Sequence, residues 1–266
     1  MAHTDSQTLT LRRILLVIAT GVGAGFLSGL FGVGGGLVIV PALMALLGMD
    51  QRRASATSLA AIIVTAAVGS GTYALHGEVS WAGGALLVVG ALAGSQIGVW
   101  LLRRLPAPSL PWILIGFTVF VIVSQYLQVP TREGIVSLTP ASCALLILVG
   151  VCAGILSGLV GVGGGSVIVP GMELAVGAGD LIARGTSLLV MIPTGIAGTV
   201  TNLRHRMVDL RVGLIVGASA AATAPAGRLV ATLVSPSVGA ILFNIFLVSI
   251  IASTILKMRK KARAQG

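Results

Sequence analysis

The residues of this sequence best placed to do chemistry are glycines. The pattern GVGGG occurs twice, at 32–36 and 161–165. It sits inside AGFLSGLFGVGGGLVIVP (24–41) and AGILSGLVGVGGGSVIVP (153–170), which agree at 15 of 18 positions with a constant offset of 129. Bare backbone followed by an apolar run sets a break against the start of a helix. The first amides of a helix have no partner of their own, and with the positive end of the helix dipole they suit an anion. The candidate binding atoms are therefore the backbone amides of Gly34, Gly35, Gly36, Gly163, Gly164 and Gly165, with Ser166 adjoining. The competing use of such glycines is close helix packing; their contiguous occurrence in both copies favours binding. No Lys-Ser/Thr follows either run, so a nucleotide loop is excluded.

Other side chains could assist. Thr57 and Ser58, and at the same offset Thr186 and Ser187, open the next apolar segment in each half. Their hydroxyls either cap that segment or donate to an oxyanion. Ser28 and Ser157 precede the breaks and read as packing residues. Glu173 lies in an apolar arm, and an acid there is expected to be functional. Arg228 is its expected partner, either in a buried ion pair or with Arg228 holding substrate while Glu173 carries a proton. His76, two residues from Glu78, and its counterpart His205 end matching segments; they gate by protonation or are simply interfacial. Gln96, Tyr73 and Asn202 are expected to bridge helices. Cys143 and Cys152 are nine residues apart, on opposite faces of one helix, and make neither a disulfide nor a metal site. The seven carboxylates are scattered, with no nucleophile–base constellation. Neither an enzyme nor a cofactor is expected.

These residues need a scaffold, and the composition names it. Hydrophobic residues make up 56 % of the 266, and charged residues 9 %, against about 25 % in soluble domains. Several apolar stretches approach the roughly 20 residues that span a bilayer. Helices are expected throughout, since the alternation of a membrane barrel is absent. Met1–Thr10 is polar, and no cleaved signal is expected. The offset also aligns Gly69 with Gly198, His76 with His205 and Gly98 with Gly227, so the chain reads as one unit repeated. The expected organisation is an N-terminus (1–12), repeat 1 (13–128), a linker (129–141), repeat 2 (142–256) and a basic tail (257–266).

Topology turns on whether the glycine segment crosses the membrane or folds back. If it folds back, 14 of the 17 Lys and Arg residues share one side, all but Arg132, Arg184 and Arg228. The positive-inside rule prefers that arrangement. It leaves each half with an odd number of crossings, so the halves are inverted. The fold class is thus all-α and polytopic: two inverted repeats, each a broken glycine-rich hairpin with short arms plus three transmembrane helices. The alternative is a parallel 4+4 arrangement with eight spans. Gly-interrupted segments at matching positions of inverted halves are a transporter signature. The net charge of +10 lies in clusters between apolar runs, which argues against nucleic acid as a partner.

The doubled GxLSGLxGVGGGxVIVP, with TSL beginning sixteen residues past each proline, resembles the sulfite exporter TauE/SafE family over almost the whole chain. The resemblance implies a multi-pass permease for sulfite or organosulfur anions, without fixing which one. In one departure between the copies, Met44 stands where the second half has Glu173. The expected partners are a small anion, protons and membrane lipid. The expected location is the bacterial inner membrane with both termini cytoplasmic. The functional expectation is a secondary transporter working by alternating access, the alternatives being an anion channel or a membrane scaffold.

Overall fold

The structure is a computed structural model describing residues 11–106, 109–126 and 138–263. The expected N-terminal segment up to residue 10, the linker residues 129–137 with Arg132 and Glu133, and residues 264–266 lie outside the described residues. In order, the helices are α1 (Leu11–Phe31), α2 (Gly36–Leu47), α3 (Gln51–Ala74), α4 (Trp81–Arg104) and α5 (Leu110–Tyr126), then α6 (Pro140–Val160), α7 (Gly165–Val176), α8 (Asp180–Arg204), α9 (Leu210–Leu233) and α10 (Pro236–Arg263). Among the described residues all regular structure is helical. Among the described residues seven helices are long and apolar enough to cross a membrane: α1, α3, α4, α6, α8, α9 and α10. Their outward faces carry Leu15, Val89, Leu148, Leu214 and Ile245, a surface suited to lipid. The chain is a multi-pass helical membrane protein.

Local sequence explains where the helices begin. Asp50, Ser80 and Asp209 accept the amides of Arg53, Gly83 and Val212, capping α3, α4 and α9. Thr139 and Ser142 form a reciprocal capping box at α6. The helix α10 continues through Arg263.

Helices of one half pack on helices of the other. Along α1 and α9, Gly21 lies on Val216, Gly25 on Ala220 and Gly29 on Ala224. Both numbers rise together, so the two helices run parallel. The same is true of α4 and α6, where Gly90, Gly94 and Gly98 meet the backbone of Ile147, Val151 and Ile155. The backbones approach so closely that a Cβ on Gly94 would lie 2.2 Å from the Val151 carbonyl oxygen. This is the small-residue packing of membrane helices. Further contacts, Gly213 on Thr57 and Gly217 on Ala61, make α3 parallel to α9. Thr201 bonds Gln96, and Gly84 meets Leu189, which makes α8 parallel to α4.

The equivalent helices α3 and α8 cross in the opposite sense. A Cβ on Gly69 would touch Leu188 at 3.0 Å, and one on Gly198 would touch Leu59 at 2.9 Å. The two contacts are exchanged by the offset of 129, and α3 therefore runs antiparallel to α8. Val17, Ala54 and Val212 share one apolar cluster, so α1, α3 and α9 begin at the same end of the bundle. Arg52 there donates to the Leu105 carbonyl at 2.7 Å, and Arg103 Nη1 donates to His205 Nε2 at 2.6 Å. The starts of α1, α3 and α9 thus share one end of the bundle with the ends of α4 and α8. Arg184 and Arg228 lie towards the other end.

The arms of the glycine hairpin differ from the expectation that both are short. The first arms, α1 and α6, have 21 residues each, and only the second arms, α2 and α7, are short, at 12. Length in the first arm is stabilised by its long glycine seam with α9 or α4.

Candidate functional site

The two glycine breaks come together at mid-depth. Gly34 and Gly163 both lie against Ile62 and Met191, which are the middle residues of α3 and α8. A Cβ on Gly36 would meet the Gly161 oxygen at 2.5 Å, and one on Gly165 would meet the Gly32 oxygen at 2.4 Å. Each contact maps onto the other under the 129-residue offset.

The backbone there can be built only from residues tolerating the left-handed region. Gly35 has φ 76° and Gly164 φ 78°, and each is the N-cap of its short helix with no side-chain cap. Among the described hydrogen bonds, the amides of Val38, Ile39, Val167 and Ile168 return to Gly35 or Gly164, whereas none has an amide donor from 34–37 or 163–166. The leading amides of α2 and α7 therefore remain as donors at the point where the halves meet.

Each expected site residue can now be placed. Ser58 Oγ donates to the carbonyl of Gly161, and Ser187 Oγ donates to the carbonyl of Gly32 at 2.7 Å. These hydroxyls hold the break of the opposite half. Thr57 accepts from the Asp209 amide at 3.0 Å and Thr186 from the Ser80 amide at 2.9 Å. The threonines are thus committed to the starts of α9 and α4, again crosswise, and do not open their own helix. Ser166 is fully buried and its hydroxyl has no hydrogen-bond partner. Ser28 and Ser157, one turn before Gly32 and Gly161, are likewise buried with unpartnered hydroxyls. An orphaned buried hydroxyl costs about 1–3 kcal/mol, so three of them flanking the breaks point to a polar guest.

The space in front of the glycines is filled in this conformation. Met191 stands on Gly34 and Gly165, Ala24 on Gly35, and Val162 on Gly36. A guest reaches the amides only if Ile62 and Met191 move, and a flexible thioether can do so.

The expected pairing of Glu173 with Arg228 is corrected. Arg228 makes a two-pronged ion pair with Glu78, Nε to Oε2 and Nη2 to Oε1, both at 2.8 Å. Its guanidinium also stands 5.7 Å from the Tyr73 ring centre. Glu78 lies in the α3–α4 turn of the other half, and depth alone did not reveal that the halves interleave. Glu173 is half-buried on α7. His76 bonds the Thr72 carbonyl at 2.9 Å, and both histidines are exposed, at opposite ends of the bundle.

Arg184 was missed from the sequence. It is 7 % exposed, and its Nη1 donates to the Leu30 carbonyl at 2.7 Å, one residue before α1 ends. A charged residue opening an apolar segment, four after Asp180 and three before Ser187, was the available signal. Its equivalent, Ser55, donates to the Val160 carbonyl at 2.8 Å in the same way.

Ser58→Ala is expected to leave the Gly161 carbonyl buried and unpaired, at a cost of about 1–3 kcal/mol. Thermal unfolding in detergent measures this; an unchanged midpoint would contradict the pinning role.

The family model described as Sulfite exporter TauE/SafE matches residues 2–124 and 146–266. A probable membrane transporter protein of Haemophilus influenzae is 32 % identical over 197 residues, covering 70 % of this chain and 72 % of that one. The probable membrane transporter protein YunE of Bacillus subtilis is 29 % identical over 213 residues, 71 % of this chain and 78 % of its own. One from Xylella fastidiosa is 27 % identical over 236 residues, covering 86 % and 89 %. No solved structure matches the chain.

Proposed function

The chain belongs to the sulfite exporter TauE/SafE family of membrane transporters, and from that premise we propose that it is a secondary carrier of a small sulfur-containing oxyanion such as sulfite or an organosulfonate. The substrate binds between the two glycine breaks, and the halves act as inverted repeats that expose it alternately to each side. One observation carries this reading: the uncapped starts of α2 and α7 meet at mid-depth, flanked by the orphaned hydroxyls of Ser28, Ser157 and Ser166. The antiparallel crossing of α3 and α8 supports the inversion, and the inversion places two half-helix ends around one guest. The filled space in front of the glycines corresponds to a closed stage of the cycle, with Ile62 and Met191 as the plug.

The end of the bundle that carries Arg52, Arg103 and Arg204 faces the cytoplasm, by the positive-inside rule. Both termini then lie on that side of a bacterial inner membrane. The chain acts without a cofactor and catalyses no covalent step.

The tight filling of the glycine faces favours one other reading, in which the glycines serve packing alone. Purified protein decides between them. A carrier is stabilised against heat by one or more of sulfite, thiosulfate and methanesulfonate, and in liposomes it shows counterflow, uptake of labelled anion stimulated by unlabelled anion inside. A channel conducts without trans-stimulation; a scaffold neither binds nor conducts.

A further inference from the structure

Among the described residues two charged pairs, one buried and one partly buried, lie at the end of the bundle away from the arginine clusters, and they are not alike. Glu78 and Arg228 satisfy each other with two hydrogen bonds. Asp180 and Arg184 do not. Their closest approach is 3.2 Å, and neither carboxylate oxygen of Asp180 has a hydrogen-bond partner although the residue is 1 % exposed. An aspartate at the N-cap of a helix takes a backbone amide, but Asp180 is the first helical residue, one place further in. Asp180 takes none, and the N-cap of α8, Gly179, brings no side chain. A buried carboxylate held by charge alone is poorly compensated.

The cation it faces adjoins the proposed site. A Cβ on Gly32 would lie 2.7 Å from the Arg184 Cα, and Ser187, one turn along, holds the Gly32 carbonyl. Arg184 is therefore the buried cation built onto the break of α1. At the offset of 129 its half-sites are Gln51 and Ser55, both neutral, so only one of the two otherwise matching halves carries this charge pair.

Resting on the carrier reading above, we propose that Arg184 is the cationic part of the anion site and that Asp180 is its resident counterion, exchanged for the substrate. A monovalent oxyanion takes the guanidinium, and the released carboxylate takes a proton from the accessible aqueous side. The charge balances: Arg⁺ with Asp⁻ becomes Arg⁺ with the anion and a neutral Asp180, so the buried site stays uncharged overall. One proton moves with each monovalent anion, in the same direction and without net charge. The other groups set around this pair are Glu173 on α7, Tyr73 on α3, Glu78 in the α3–α4 turn and Arg228 on α9. Glu78 and Arg228 are committed to each other.

The test uses the full chain in liposomes with methanesulfonate, which stays monoanionic at every working pH. Wild type is expected to accumulate it when a pH gradient is imposed with the potential clamped at zero, and not when a potential is imposed without a pH gradient. Asp180→Asn should lose pH-driven accumulation about tenfold or more relative to its own counterflow rate. Arg184→Gln should weaken binding about tenfold or more, the scale of a lost charge-assisted contact, with Arg184→Lys recovering part of it. Accumulation driven by potential alone, or Asp180→Asn accumulating as wild type does, overturns the proposal. The wild-type arm decides even if the variants fail to fold. Repeating the exchange with sulfite separates the two levels: exchange of neither anion by wild type removes the carrier reading and this one with it, whereas exchange indifferent to protons removes only the role of Asp180.

Discussion

Gly36→Ala is expected to abolish most anion flux, and Gly165→Ala to do the same. A methyl at Gly36 meets the Gly161 oxygen at 2.5 Å and the Val162 Cα at 2.6 Å, both backbone atoms of the opposite break. A methyl at Gly165 meets the Gly32 oxygen at 2.4 Å. Backbone cannot rotate out of the way as a side chain can, so the two breaks must separate. Overpacking of this kind costs about 1–3 kcal/mol. Charged against the conformation that brings the breaks together, that cost lowers its population about 5- to 150-fold. Gly23→Ala is the control: it lies on α1 with nothing within 4 Å of a Cβ. It should keep flux and gain about 0.5–1 kcal/mol of helix stability. Exchange rates and unfolding midpoints of the three variants check this, and wild-type flux in Gly36→Ala would mean that the breaks do not touch during transport.

The second large effect concerns the latch between halves. Glu78→Gln should destabilise the protein by about 3 kcal/mol, because Arg228 is left buried without its counter-charge. Arg228 is 7 % exposed, and the pair joins the α3–α4 turn of repeat 1 to α9 of repeat 2. Arg228→Gln should cost a similar amount. The double variant should lose clearly less than the sum of the two, since it removes both charges. Thermal unfolding of the four proteins completes the cycle; additive losses would show that the pair does not couple the halves.

Much of this architecture was legible because it is written twice. The glycine runs, the constant offset and the arginine placement led to a fold-back segment, and α1 and α3 do begin at the same end of the bundle. What could not be read was the interleaving. Thr57 and Thr186 looked like caps of their own helices, yet each accepts the leading amide of a helix in the other half, 152 and 106 residues away. The partner of Arg228 differs from the expectation for the same reason: depth within one half does not reveal that α9 lies against α1 and α3. The length of α1 was also missed, since its persistence depends on the seam with α9. Arg184 escaped notice because its neutral twin, Ser55, does the same structural task with a hydroxyl, and the added charge has meaning only beside the break it touches.

In the proposed carrier the two halves are upside down relative to one another, so that their breaks meet from opposite sides. Leu75, after α3, and Arg204, at the end of α8, are equivalent positions and both exposed. With Cys143 and Cys152 replaced by serine, Leu75→Cys and Arg204→Cys should each react with a membrane-impermeant maleimide from one side only, and from opposite sides. Labelling of both from the same side would contradict the account.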